Sequence, residues 1–148
     1  MSDARGMAAA LAISSAGRCK RRQIGAAISD EDGYVLVVAA NGPPDCMASC
    51  FDEPCPAADV PAGQGNATTA CYGVHAEMRA LVRMNDARRA RSIYCTKAPC
   101  TTCTRTLLDT SIKRVIFMTA SNETTNRDLW QAAGREWKQF DGTMEAAE

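Results

Sequence analysis

At 148 residues the chain has the size of one domain, residues 1–148, with enough length to bury a proper core. Its 46% apolar and 5% aromatic residues describe an ordinary globular composition built on aliphatic side chains. Seventeen Lys and Arg balance seventeen Asp and Glu, which excludes a general attraction to nucleic acid or membrane surfaces.

The first stretch, "MSDARGMAAALAISSAGRCKRR", lacks a basic leader and carries Asp3. It therefore reads as a helix over residues 7–16, rich in Ala, and not as a signal peptide. No run of about 18 apolar residues could span a membrane. The expected location is the cytoplasm. There, eight cysteines argue for metal ligation before disulfides.

"IGAAISD" and "YVLVVAA" are apolar, β-rich runs joined by "EDG", which predicts a hairpin. Residues 41–71 then break all periodicity. They hold five of the six prolines and four cysteines, and a loop of that length needs a functional or metal-stapled reason. "GVHAEMRALVRM" returns to helical spacing and "SIYCT" is a strand. "PCTTCTRTLLDT" is a helix with Pro99 near its first turn, and "KRVIFMTA" is a strand. "NRDLWQAAGREWKQF" reads as a last helix, with a break at Gly134, and the tail from about residue 141 is expected to fray. On that helix Trp130 and Trp137, seven apart, share a face suited to packing. Helices alternating with strands predict an α/β domain whose second half is mainly parallel.

The chemistry gathers at His75, the only histidine, and at Cys100 and Cys103. The two cysteines, three apart, share one face at a helix N-terminus, where the dipole and free N–H groups favour thiolates. One imidazole and two thiolates make three zinc ligands and leave a fourth position open, the catalytic pattern. Residues two apart in a helix normally diverge. In a first turn, however, both His75 and Glu77 can reach a metal at the helix end. Zinc neutralised by two thiolates is a weak acid, so water held there needs a neighbouring carboxylate to take its proton and return it to substrate. Glu77 suits that role.

H-x-E with P-C-x-x-C is the mark of zinc deaminases. With "CKRRQIGAAI", "NGPP", the cysteine-bearing loop, "TKAPCTTC" and "SIKRVIF", the chain resembles the deoxycytidylate (dCMP) deaminase family of the cytidine deaminase-like superfamily, over residues 19 to 119. The resemblance implies a three-layer α/β/α fold with a five-stranded mixed sheet. It implies hydrolysis at the amine-bearing carbon of a cytosine ring, dCMP to dUMP with release of ammonia. His75, Cys100 and Cys103 then bind zinc and Glu77 shuttles protons. Asn41 contacts the sugar, and backbone groups at Ala76 and near Ala98 hold the base. Cys19, Cys50, Cys55 and Cys71 fall where some members place a second, structural zinc, with Cys46 as a substitute for Cys50. The resemblance also implies a homo-oligomer, a hexamer or a dimer.

Position 79, usually Asn in the family, is Arg here. Arg79 lies four residues after His75 and is expected either to contact the substrate's phosphate or to stand exposed on its helix. Arg22 or Arg21 is a second candidate for that phosphate, against a reading as a solvated basic turn. Cys95, in a strand, is expected to be a small buried hydrophobe. Two alternatives stand beside dCMP deamination. One is a deaminase of a nucleoside, a modified cytosine nucleotide or another cyclic amine. The other is a zinc-stapled nucleic-acid-binding module, which the charge balance and the lack of interleaved aromatic and basic residues disfavour.

Overall fold

A computed structural model of the protein describes residues 3–61 and 71–142. Residues 62–70 of the long loop, and all but the first two residues of the tail expected to fray, lie outside the described residues. The hairpin forms as its pattern predicts: β1 (Gly25–Ser29) pairs antiparallel with β2 (Val35–Ala40), Gly25 opposite Ala40. β1 also pairs antiparallel with β3 (Ser92–Lys97), which runs parallel to β4 (Arg114–Thr119). A fifth strand, β5 (Glu136–Gln139), runs parallel to β4, giving the order β2-β1-β3-β4-β5.

That fifth strand corrects the expected last helix. The helix α4 (Thr125–Ala132) stops at Gly134, whose φ of +76° is open to glycine at little cost, and the chain turns back into the sheet. Trp130 and Trp137 therefore share no helix face. They meet from a helix and a strand, ring centroids 6.4 Å apart, and Trp137 also packs on Phe117 at 5.4 Å. The packing role holds, through a different geometry. Trp130 is fully buried, and its indole N–H donates to the carbonyl of Glu136 at 2.9 Å.

Helices cover both faces of the sheet. On one face lies α1 (Asp3–Ser14), which presses Met7 and Ala10 onto Ala27, Tyr94 and Ile116. The other face carries α2 (Ala76–Arg83), α3 (Thr101–Leu108) and α4. There Ala76, Ala80, Leu107 and Trp130 pack with Ala26, Ile28, Ile93 and Val115. α1 starts four residues earlier than its Ala-rich run suggests, because Asp3 is tied to Arg114 (3.0 Å) and Tyr94 (2.9 Å). Residues 41–61 and 71–74 form no regular element beyond a bridge between Gly42 and Val74. No helix among the described residues is long and apolar enough to cross a membrane.

The topology brings one edge of the sheet together. The start of β1, the end of β2 and the ends of β3 and β4 share it, because β1 runs against its two neighbours. The N-termini of α2 and α3 open at the same edge, where open α/β sheets hold their ligands.

Candidate metal and active site

His75 is the N-cap of α2, with extended backbone (φ −68°, ψ 147°), and Glu77 lies in the first turn. An extended cap frees the imidazole from the helical direction, so residues two apart can face one point. Cys100 caps α3 in the same way (φ −73°, ψ 174°), and its Sγ accepts from the Cys103 N–H at 3.5 Å. Pro99 precedes this cap instead of lying in the first turn. Two helix N-termini thus aim their positive ends at one locus.

The His75 Nδ1 lies 3.5 Å from Cys100 Sγ and 3.3 Å from Cys103 Sγ. A tetrahedral zinc with Zn–S of about 2.3 Å and Zn–N of about 2.0 Å holds sulfur and nitrogen about 3.5 Å apart. The separations and the donor set fit that ion. Among the described residues, this is the one group of three or more such ligands whose atoms all lie within 4.8 Å of one another. The hydrogen bond with Cys103 foremost, and then the bond to His75, hold the Cys100 thiol down to about 4. Cys103 is pushed upward by the same bond and by burial, so without metal the pair retains a proton that an incoming cation would release. Hydrogen bonding to Cys100 raises the His75 pKa.

Glu77 is only 4% exposed. Burial raises its pKa above the ordinary carboxylate value, against a hydrogen bond with Cys103 that lowers it. Cys95 lies near the same carboxylate, and burial keeps its thiol protonated, in line with its reading as a small buried hydrophobe.

Above this locus is a cavity of about 260 Å³. His75, Glu77 and Cys100 line it, as do Asn41, Ala76, Ala98 and Arg22. The structure therefore gathers every predicted catalytic and substrate-binding residue there except Arg79. The Asn41 side chain braces the wall: Oδ1 accepts from the Ile24 N–H at 2.8 Å, and Nδ2 donates to the Arg22 carbonyl at 3.0 Å. The Ala98 N–H is bonded to the Thr119 carbonyl at 2.9 Å. Arg21 lines the cavity too, but its guanidinium is bonded to the carbonyls of Val60 and Pro61.

Arg79 corrects both expectations for it. It is 7% exposed, so it is no solvated helix Arg, and it is absent from the cavity lining. Its guanidinium donates to the carbonyls of Ala40, Gly42 and Pro43. Three lining residues with polar side chains escaped the sequence reading: Lys97, Ser121 and Glu123. Lys97 stands three residues before Cys100, just past the strand predicted over "SIYCT" and at the end of the observed β3, and that placement was the available signal. Ser121 and Glu123 lie in the loop after β4, where nothing in the sequence marks them.

The four other candidate ligands lie in irregular backbone. Cys50 (2% exposed) and Cys55 (9%) form a small cluster with Ala57 and Ala58, and Cys71 packs against it. The Cys55 N–H points to Cys50 Sγ at 3.5 Å. Cys19 is close enough for its charge to act on Cys55. Cys46 is exposed.

The profile of the cytidine and deoxycytidylate deaminase zinc-binding region matches residues 1–119. The chain belongs to this family. The deoxycytidylate deaminase of Mus musculus is 32% identical over 139 residues, covering 88% of this chain and 76% of that enzyme. That of Schizosaccharomyces pombe is 28% identical over 125 residues, 82% of this chain. This chain spans 38% of the length of the Schizosaccharomyces pombe enzyme and 35% of that of Saccharomyces cerevisiae. The dCMP deaminase of the cyanophage S-TIM5, in complex with dCMP and dUMP, shares the fold. It has a TM-score of 0.69 at 23% identity, over 90% of this chain and 93% of that one.

Proposed function

We propose that this deaminase-family chain hydrolyses dCMP to dUMP and ammonia, with His75, Cys100 and Cys103 holding a catalytic zinc. The observation that carries the reading is a nearly buried carboxyl, Glu77, beside a three-ligand His/Cys/Cys site on the floor of a cavity. When bound, zinc supplies a Lewis acid that eases deprotonation of water. Water adds to the amine-bearing ring carbon, and its oxygen remains in dUMP. Glu77 takes the proton from that water, passes it to the ring nitrogen and serves again as the amine leaves as ammonia.

The walls suit the rest of the nucleotide. The Ala76 N–H opens α2 and has no acceptor within its helix, so it is free to donate to the base carbonyl. The Ala98 N–H is engaged, so its carbonyl is the group that accepts from the exocyclic amine. Asn41 keeps one amide hydrogen and one lone-pair site for the sugar. Arg22 and Lys97 face the cavity and, among the described residues, form no ion pair. Burial first, and then the Arg22 charge, lowers the Lys97 pKa. A 5′-phosphate relieves that repulsion, which favours a nucleotide over a nucleoside.

A second, structural zinc on Cys19, Cys50, Cys55 and Cys71 extends the reading. The packing of Cys50, Cys55 and Cys71 around Ala57 and Ala58, and the exposure of Cys46, support that set, although among the described residues no three of the four sulfurs lie within 4.8 Å of one another. All eight cysteines are unpaired, the state expected in the cytoplasm. Phe51, Tyr72 and Val82 are exposed and offer apolar surface to a homo-oligomer. Absorbance assays on cytosine, cytidine, deoxycytidine, CMP, dCMP and dCTP, with zinc counted per chain, test the reading. dCMP is expected to be the preferred substrate, with two zinc ions per chain. No turnover on any of the six rejects the activity, and a single zinc rejects the second site.

A further inference from the structure

Arg79 is a buried cation with, among the described residues, no carboxylate at ion-pair distance. Backbone carbonyls take its place. Nη1 donates to Ala40 O at 2.8 Å, and Nη2 to Gly42 O at 3.0 Å and Pro43 O at 2.7 Å. These carbonyls belong to a turn with a surplus of acceptors, because Pro43 and Pro44 carry no N–H. The turn is also tied elsewhere. The Arg18 N–H donates to Asn41 O at 2.8 Å, and Gly42 exchanges two backbone hydrogen bonds with Val74, the residue before His75. Gly42 sits at φ +149°, where a Cβ would come within 2.7 Å of the Arg18 Cβ, so no other residue fits there easily. Asn41, in the middle of the turn, holds the Ile24 N–H and the Arg22 carbonyl on the cavity wall.

These bonds form one chain of contacts, from α2 through Arg79 to the turn, through Asn41 to Arg22, and through Gly42 to Val74. We propose that Arg79 is a positioning residue for the substrate. Its guanidinium clamps residues 40–43 onto α2, and so holds Asn41 and Arg22 in place relative to His75 and Glu77. Only a planar fork with donors at both ends serves three carbonyls at once, and a lysine ammonium is a point charge that cannot. Loss of the fork removes three hydrogen bonds between α2 and the turn. Gly42 O keeps the Val74 N–H and Pro43 O keeps Arg18 Nη1 at 3.4 Å, so the turn stays tied to its other neighbours but relaxes away from α2.

The inference rests on the proposed activity, and its test separates the two. Arg79→Lys and Arg79→Gln are made in the full chain and again with Asn41→Ala. Zinc per chain, kcat and KM for dCMP, and the calorimetric Kd for dUMP are measured. Arg79→Lys is expected to keep its zinc and to raise KM and Kd about tenfold, with kcat within about threefold. In the Asn41→Ala background the further rise is expected to be less than about twofold, because both changes act on one turn. Unchanged Kd and KM in folded Arg79→Lys overturn the inference. So does full additivity with Asn41→Ala, or a fall in kcat that tracks zinc loss. Arg79→Gln decides if the Lys variant does not fold, and failure of both to fold makes Arg79 a stability residue and overturns it as well. A wild-type chain that neither binds dUMP nor deaminates dCMP rejects the activity instead.

Discussion

Candidate metal ligands lie in two regions of the chain that are built differently. His75, Cys100 and Cys103 sit at the starts of α2 and α3, helices fastened to the sheet by Ala76, Ala80 and Leu107. Their ligand atoms already lie within 4.8 Å of one another. Cys19, Cys50, Cys55 and Cys71 sit in irregular backbone, and among the described residues the last three share a small cluster with Ala57, Ala58 and Val60. The first region is preorganised by secondary structure and core packing. In the second, an ion would supply the order that the loop's own side chains cannot. The difference teaches that metal removal should have opposite consequences, silencing chemistry in one region and loosening structure in the other.

The sharpest test lies within the first region. Glu77→Gln keeps shape and burial but removes the proton carrier. Ammonia release from dCMP is expected to fall about 10³-fold or more while the first zinc stays bound. Turnover near the wild-type rate would remove Glu77 from the chemistry.

The comparison itself is broken or upheld by one cysteine from each side. Cys55→Ser is expected to lower unfolding free energy by at least on the order of 3 kcal/mol, read by denaturant titration with zinc counted per chain. Cys100→Ser is expected to abolish activity and release the other zinc, at a smaller stability cost than Cys55→Ser, because α2 and α3 are already held by the core. Equal destabilisation by the two changes means that the regions do not differ as described.

A smaller effect is expected at the rim. Lys97→Ala should raise KM for dCMP by about 10- to 100-fold, the loss of one charge-assisted hydrogen bond. Turnover of deoxycytidine should barely move. Equal losses on nucleotide and nucleoside would make Lys97 a packing residue.

The smallest effect lies far from both regions, where Asp3 joins α1 to β4 and β5 through Arg114 and Lys138. Burial works to raise the Asp3 pKa, but hydrogen bonds from Arg114, Tyr94 and Lys138 outweigh it and hold the carboxyl below 3.8. Because the folded pKa is depressed, this stabilisation is complete above the unfolded value of about 3.9 and is lost as pH falls through the folded one. Asp3→Asn should therefore lower the melting temperature at pH 6 by an amount worth about 1 kcal/mol, with the gap closing below about pH 3.9 and the zinc count unchanged. A gap that persists in acid would mean that packing, not charge, ties Asp3 down.

The residues proposed to carry chemistry were legible because a zinc site constrains its ligands locally. Two cysteines three apart after a proline, and a histidine two before a glutamate, specify ligand type, helix capping and an open coordination position within a few residues of chain. The hairpin was equally legible, since "EDG" between β-branched runs is a short-range signal. The last element was not. "GREWKQF" continues the helical spacing of Trp130, and only pairing with β4 makes it a strand. Arg79 was misread for a related reason. Its position four after His75 defines a helix face, but the occupant of that face is a turn some 36 to 39 residues away in sequence.

By itself, then, the sequence picked out the His75, Cys100 and Cys103 group that the structure brings together, the neighbouring Glu77, and the alternation of strands and helices, because these depend on residue type and on spacing within one or two turns. Only the tertiary structure decided that Glu136–Gln139 form the fifth strand, that one cavity gathers Lys97, Ser121 and Glu123, and that Arg79 is buried against the carbonyls of Ala40, Gly42 and Pro43. Each of these depends on which distant backbone atoms the sheet register brings within hydrogen-bond reach, and no local pattern encodes that.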